Sequence, residues 1–239
     1  MVQEINFDVV TATPDKPLPI RAKFYKIGML QYISHLDLVR TMTRILVRSG
    51  IPAWYSQGFN PRLKLTFGMP LSIGTQSERE FFDIRLTAPM SPDEIKSRIN
   101  RALTDELHVT DVYLSDLKFS EIAWAEYEIK MTSPKLSADT AQALTALCTN
   151  PLIITKHGKA GDREVDISPN ISLRSCHFEE GSLTLRALLS ADSANYVNPE
   201  YLMDAAESRL GLKFEDPFHE YYTVIRKEVY LADKTTIFR

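Results

Sequence analysis

The stretch ISHLDLVRTMTRILVRSGIP, residues 33–52, holds the side chains best suited to chemistry in the chain. A neutral imidazole such as His35 can take a proton from a ribose 2′-hydroxyl or donate to a ligand. Asp37 lies two residues on. The sequence places no second acid–base group at a fixed spacing from His35, and Ser34 with Asp37 also reads as ordinary capping of a helix start. His35 and Asp37 are therefore the candidate catalytic pair, and helix construction is the other account of the same residues. Arg40, Arg44 and Arg48 recur every four residues, which on a 3.6-residue helix aligns them along one slowly drifting stripe. Such a stripe suits contact with a polyanion or simple solvation. Like charges at this spacing are mildly unfavourable, so a purely positive row needs more reason than a mixed one.

A second concentration follows at YSQGFNPRLK, residues 55–64. Gly58 and Asn60-Pro61 are turn residues, and they bring Phe59, Arg62 and Lys64 close together. A ring that can stack on a base beside cations that can meet phosphate is the equipment of single-stranded RNA recognition. The alternative is a structural turn with Phe59 in the core. SIGTQSERE, residues 72–80, lacks the lysine and spacing of a phosphate loop and reads as a turn, with Glu80 an ion-pair partner for the arginine stripe.

The surrounding composition gives these residues a setting. The 239 residues are 44% hydrophobic and 25% charged with a net charge of −3, an ordinary globular balance with room for one large domain or two smaller ones. Charge is segregated: residues 17–71 hold eight basic side chains and one acid, Asp37, whereas residues 121–239 hold 13 basic and 18 acidic. An electropositive first third on an otherwise acidic chain is the footprint of a polyanion binder, or of a face that meets an acidic partner. Cys148 and Cys176 are the only cysteines, which suggests neither a disulfide framework nor a metal site. No cofactor or metal is expected. Glu4 and Asp8 in the opening residues argue against a secretory leader, and no apolar run is long enough to span a membrane, so a cytoplasmic location is expected.

The elements that must position these groups follow from periodicity. Strands are expected over 20–27, 63–71, 78–86 and 109–116, with helices over about 35–49 and 91–103. On the first helix, Leu36, Val39, Leu46 and Val47 form the apolar face. Leu63, Leu65, Phe67, Met69 and Leu71 alternate with polar residues, as do Phe82, Ile84 and Leu86. The second half repeats the order, with strands over 124–132, 151–156, 164–176, 182–190 and 223–231 and helices over 137–148 and 198–210. NPEYLMDAAESRL at 198 matches SPDEIKSRINRAL at 91. The order β-α-β-β-α-β, taken twice, gives an α+β fold of two tandem ferredoxin-like units. Residues 1–19 are an extended lead-in, 20–120 the first unit and 121–239 the second.

SHLDL at 34–38, SGIP at 49–52 and YSQGFNPRLKLTFGMPLSIGTQSEREFFDIRL at 55–86 together resemble the bacterial radical-SAM-linked family, a domain of unknown function found alone or fused behind a radical SAM enzyme. The resemblance covers roughly residues 20–90 and implies partnership with a radical SAM protein, without implying an activity. Radical SAM enzymes hold an iron–sulfur cluster on three closely spaced cysteines, so radical chemistry would belong to the partner. The tandem order also resembles, at the level of fold, the RAMP superfamily of CRISPR RNA-binding proteins. Taken together, the sequence points to an accessory protein that binds RNA, such as a tRNA or rRNA, through Arg40, Arg44, Arg48, Phe59, Arg62 and Lys64 and presents it to a radical SAM enzyme. No DNA preference follows from the sequence. A metal-independent endoribonuclease using His35, or a docking module with no nucleic-acid role, would use the same residues.

Overall fold

Ile20, Ala22 and Phe24 alternate with Arg21, Lys23 and Tyr25, and this period of two makes β1 (Leu18–Lys26) a strand with one apolar face. The structure, a computed structural model, describes residues 17–158 and 161–239. It divides the chain into two units, residues 1–119 with Arg239 and residues 120–238. The lead-in expected over 1–19 falls outside the described residues up to residue 16, and Leu18 and Pro19 already belong to β1.

In the first unit β1 is followed by a 3-10 turn (Gly28–Tyr32), α1 (His35–Arg48), β2 (Thr66–Phe67), β3 (Thr75–Leu86), α2 (Pro92–Asn100) and β4 (Leu107–Tyr113). The strands pair antiparallel in the order β4-β1-β3-β2. Ile20, Ala22 and Phe24 of β1, Phe82, Ile84 and Leu86 of β3, and Val109 and Val112 of β4 form a core with Ile95 and Ile99 of α2. α1 contributes Leu38, Met42, Ile45 and Leu46. This corrects the expected apolar face. Leu36 and Val47 are both 56% exposed, because the helix turns the side opposite its arginines, rather than the side of Leu36 and Val47, to the sheet.

The segment 63–71 is also different from expectation. Leu63, Leu65 and Phe67 do pack against the core, so the alternation reports their direction correctly. Strand pairing, however, covers only Thr66 and Phe67 with β3, continued by the Gly68 N–H that donates to Phe81 O at 2.9 Å, and a single bridge between Leu63 and Tyr55. The chain then bends at Gly68 and Met69, and Pro70 has no N–H to extend a ladder. The expected turn over 72–80 is shorter too: it ends at Gly74 (φ 87°), and β3 begins at Thr75.

In the second unit the order is β5 (Trp124–Thr132), α3 (Ala138–Thr149), β6 (Ile153–Gly158), β7 (Gly161–Asp166), β8 (Ile171–Glu179), β9 (Ser182–Ser190), α4 (Glu200–Leu210) and β10 (Tyr221–Tyr230). β5, β8, β9 and β10 form an antiparallel sheet ordered β10-β5-β9-β8, and β6 and β7 form a separate hairpin. The strand expected over 164–176 is thus two strands, broken at the 3-10 turn Ser168–Asn170, where Pro169 interrupts pairing. Ala125, Tyr127, Ile129 and Met131 of β5, Leu183, Leu185 and Leu189 of β9, Leu144 and Leu147 of α3 and Leu202 and Ala206 of α4 are buried. The described residues form a mixed α/β protein with antiparallel sheets and four α-helices. Among the described residues no helix is long and apolar enough to cross a membrane.

Candidate functional site

Ser34 fixes where α1 starts. Its extended backbone (φ −69°, ψ 156°) lets its hydroxyl oxygen accept the Asp37 N–H at 3.1 Å, and the same hydroxyl donates to Asp37 Oδ2 at 2.7 Å. Asp37 Oδ1 accepts from Arg40 at 3.2 Å. The Ser34 hydroxyl first, and then Arg40, hold the Asp37 carboxyl below its ordinary range. Both carboxylate oxygens are thus engaged by neighbours in the helix, and the helix cap itself is Ser34. His35 is exposed at the rim of the same turn. Its ring meets Phe67 edge-on, with centroids 5.5 Å apart and planes at 83°, and it makes no hydrogen bond among the described residues.

Arg40, Arg44 and Arg48 all lie on the exposed side of α1. Arg40 is paired with Asp37, while the side chains of Arg44 and Arg48 make no hydrogen bond or ion pair among the described residues. Residues 55–63 form a closed loop: Tyr55 bridges to Leu63, Ser56 N–H donates to Arg62 O at 2.8 Å, and Arg62 N–H donates to Ser56 Oγ at 3.0 Å. Gly58 takes φ 129° near its tip, a backbone conformation that favours glycine. Phe59 beside it is fully exposed rather than tucked into the core. Arg62 and Lys64 are exposed, and their side chains also lack hydrogen bonds and ion pairs among the described residues.

Other members of the basic first third are structural. Arg21 is 2% exposed, donates to both carboxylate oxygens of Asp83 at 2.8 and 2.9 Å, and lies 4.2 Å from the Phe119 ring centroid. Lys23 approaches Asp111 at 3.8 Å. The surface cations therefore reduce to the helix stripe and the loop.

Two more buried charges are Lys26, to which the sequence assigned no role, and Glu80, expected on the surface beside the arginine stripe. Lys26 (2% exposed) continues the inward phase of Ile20, Ala22 and Phe24, and Glu80 (4% exposed) shares the phase of Phe82, Ile84 and Leu86. That shared parity is the signal in the sequence that would have found them. Glu80 is consequently not a partner of the arginine stripe: it faces the helix-covered side of the sheet, whereas the stripe faces away from it. Lys26 donates to Leu30 O at 3.1 Å and Thr75 O at 3.2 Å. Both charges line a small cleft together with Ser34, His35, Phe67 and Met69, with a volume of about 10 Å³. Ile33 and Ser34, at the end of the segment between β1 and α1, form part of its wall, and the start of that segment lies outside the lining. That start is pinned by Glu106, whose carbonyl accepts the Ile27 N–H at 2.9 Å and whose carboxylate accepts the Met29 N–H at 3.1 Å. Gly28 in this segment has φ 61°, and a Cβ there would fall on the Glu106 carboxylate. Among the described residues no group of three or more His, Cys, Asp or Glu side chains is placed to hold a metal.

Residues 19–199 match the family of uncharacterized proteins conserved in bacteria named DUF2344. The chain belongs to this family. The DUF2344 match takes in the whole helix stripe, the loop and the cleft. None of the curated proteins matches the chain. Among solved structures, it resembles a Cbf5-Nop10-Gar1 complex, with 13% identity and a TM-score of 0.45 over 95% of this chain and 56% of that one. It also resembles an H/ACA RNP bound to a substrate RNA containing 2′-deoxyuridine, with 12% identity and a TM-score of 0.42 over 95% of this chain and 55% of that one. The chain spans little more than half the length of these neighbours, and likeness at this level is too remote to transfer anything those complexes do.

Proposed function

We propose that the chain is an RNA-binding accessory protein whose first unit holds a structured RNA, such as a tRNA or rRNA, and presents it to a radical SAM enzyme. The observation that carries this reading is a group of four exposed cations with no partner among the described residues, Arg44, Arg48, Arg62 and Lys64, on the same unit as a fully exposed phenylalanine. Unpartnered guanidinium groups are positioned to neutralise phosphate, and an exposed ring offers a face on which an unpaired base can stack. We read both units as ferredoxin-like, since each carries two helices with strands in the order fourth-first-third-second, the β6–β7 hairpin being an insertion in the second. Partnership with a radical SAM enzyme, in the cytoplasm, is supported by the motif run from SHLDL to FFDIRL. A radical SAM gene adjoining this one would strengthen that partnership.

The RNA reading is tested by titrating salt against binding of a single-stranded RNA to the wild type and to the Arg40→Glu/Arg44→Glu/Arg48→Glu variant, with circular dichroism to confirm folding. The apolar face of α1 is untouched by these changes. Affinity should fall roughly a hundredfold or more, and the slope of log affinity against log salt should flatten by about 2, each single-strand phosphate contact contributing about 0.7. Equal affinities and slopes would leave α1 a solvated face. A second reading, in which His35 acts as a general base in RNA cleavage, draws on its exposed imidazole with no hydrogen bond, and product formation lost in His35→Ala would favour it.

A further inference from the structure

We infer that the groove between β6 and α4 takes a short, extended and basic peptide segment of a partner protein as a further strand on β6. The inference is independent of the RNA reading, which concerns the first unit. Ile167 N–H donates to Leu152 O at 2.9 Å, and the register pairs Ile154 with Val165 and Lys156 with Arg163. In an antiparallel pair, residues bonded to the partner strand alternate with residues whose N–H and C=O point the other way. Leu152, Ile154 and Lys156 thus face β7, and Ile153 and Thr155 turn their backbone groups to the opposite edge. Arg209 of α4 reaches that edge and donates to Ile153 O at 2.7 Å. The Thr155 N–H and C=O make no hydrogen bond among the described residues. An open strand edge of this kind is a template for another chain.

The edge borders space as well. Ile153, Ile154 and Thr155 on one side and Tyr201, Asp204 and Ala205 of α4 on the other line a groove of about 340 Å³, within the range of sites that hold a ligand. The Ile153 side chain, 51% exposed, offers an apolar contact to a residue of the added strand. Charge selects the occupant. Asp204 and Glu164, the β7 partner of Thr155, are exposed and make no hydrogen bond or ion pair among the described residues. The cations nearby are engaged, Arg209 on Ile153 O and Lys156 on Tyr196 O at 2.9 Å. A strand bearing Lys or Arg therefore meets complementary charge. A second copy of the hairpin would bring these acids against one another, and they would repel phosphate. Main-chain bonds to Thr155 would supply affinity, and Asp204 and Glu164 would supply preference for basic side chains.

The probe is an acetylated and amidated pentapeptide of alternating Lys and Val, titrated into the full chain and read by isothermal calorimetry. Wild type should bind it about tenfold more tightly than the same pentapeptide methylated at every backbone nitrogen, and than its Glu and Val analogue. Thr155→Pro removes the N–H that faces the groove and leaves the bonds to β7, and Asp204→Lys reverses the free carboxylate. Each should weaken binding of the Lys and Val pentapeptide about tenfold and leave RNA affinity at the wild-type level. Should Thr155→Pro fail to fold, Asp204→Lys, exposed on α4, carries the same comparison. Equal binding of the methylated pentapeptide overturns strand addition, and unchanged affinity in folded variants, or no binding by wild type, overturns the site. Displacement of the pentapeptide by a single-stranded RNA would assign the groove to nucleic acid. A dimer in sedimentation that Thr155→Pro dissociates would assign the edge to a second copy, and either result overturns the proposal. Failure of the RNA reading in the first unit leaves all these outcomes unchanged.

Discussion

The two units share an element order and place an excursion at the same point, between their first helix and the next strand of the sheet, yet they furnish it with different chemistry. In the first unit the excursion, residues 49–65, carries Arg62 and Lys64 with no acid and exposes Phe59 midway along it. In the second it is the β6–β7 hairpin, where Asp162, Glu164 and Asp166 interleave with Arg163. The buried charges differ likewise. Glu220 of the second unit accepts the N–H groups of Glu215 and Asp216 at 2.8 and 3.4 Å and is paired with Lys135 at 2.9 Å. It is a clip for the loop before β10. Lys26 and Glu80 of the first unit instead border a cleft with an unbonded imidazole at its edge. A buried charge alone therefore does not mark a site; a buried charge beside space that a ligand can enter is the informative arrangement.

The comparison breaks first at the cores. Phe82→Ala should destabilise the first unit by about 3–5 kcal/mol and Leu185→Ala the second by about 2–5 kcal/mol, since both side chains are fully buried. Urea denaturation followed by circular dichroism would read either loss, and only Phe82→Ala should abolish RNA binding at intermediate urea. Next, charge reversal should discriminate between the units. The triple arginine variant should lose RNA affinity by roughly a hundredfold, whereas Arg163→Glu/Lys213→Glu in the second unit should leave it within about twofold in a filter-binding assay at 0.1 M salt. A similar loss from both variants would mean that charge as such, rather than the helix and loop, attracts the RNA.

A smaller effect is expected at the cap. Ser34→Ala should cost about 1 kcal/mol in thermal or urea unfolding, because it removes the oxygen that accepts the Asp37 N–H. The smallest concerns acid. Lys135 first, then the backbone N–H groups, hold the Glu220 carboxyl down at about 2 against an ordinary 4.5. Its folded value is depressed, so its contribution is fully present above pH about 4.5 and disappears as pH falls through about 2. Glu220→Gln should flatten the stability curve between those limits and leave it unchanged near pH 7 apart from a constant offset. An unaltered acid limb would show that the clip contributes nothing.

Much of this was legible in the sequence where one period dominated. WAEYEIKMT alternates without ambiguity and is β5 at the expected residues 124–132. α1 was harder because Leu36, Leu38, Val39, Met42, Ile45, Leu46 and Val47 surround most of the helix with apolar groups, so several faces qualify. The arginines settle the phase: the side opposite Arg40, Arg44 and Arg48 is that of Leu38, Met42 and Ile45. β2 shrank to two residues because alternation records which way side chains point, and it is silent on whether the backbone finds a partner. The cleft was missed for another reason. Lys26 and Glu80 are far apart along the chain, and only strand pairing brings their two inward phases to the same end of the sheet.

The pinned start of the segment between β1 and α1 bears on how the first sheet and its helix are tied together. Gly28 gives up its side-chain space to the Glu106 carboxylate, and Glu106 in turn holds the backbone on both sides of it. The turn out of β1 is thus held by the residue just before β4, so the start of the helix-bearing segment is tied to the far edge strand of its own sheet. A larger residue at position 28 would displace Glu106 and release both bonds at once, a loss that thermal unfolding of a Gly28→Ala variant would read.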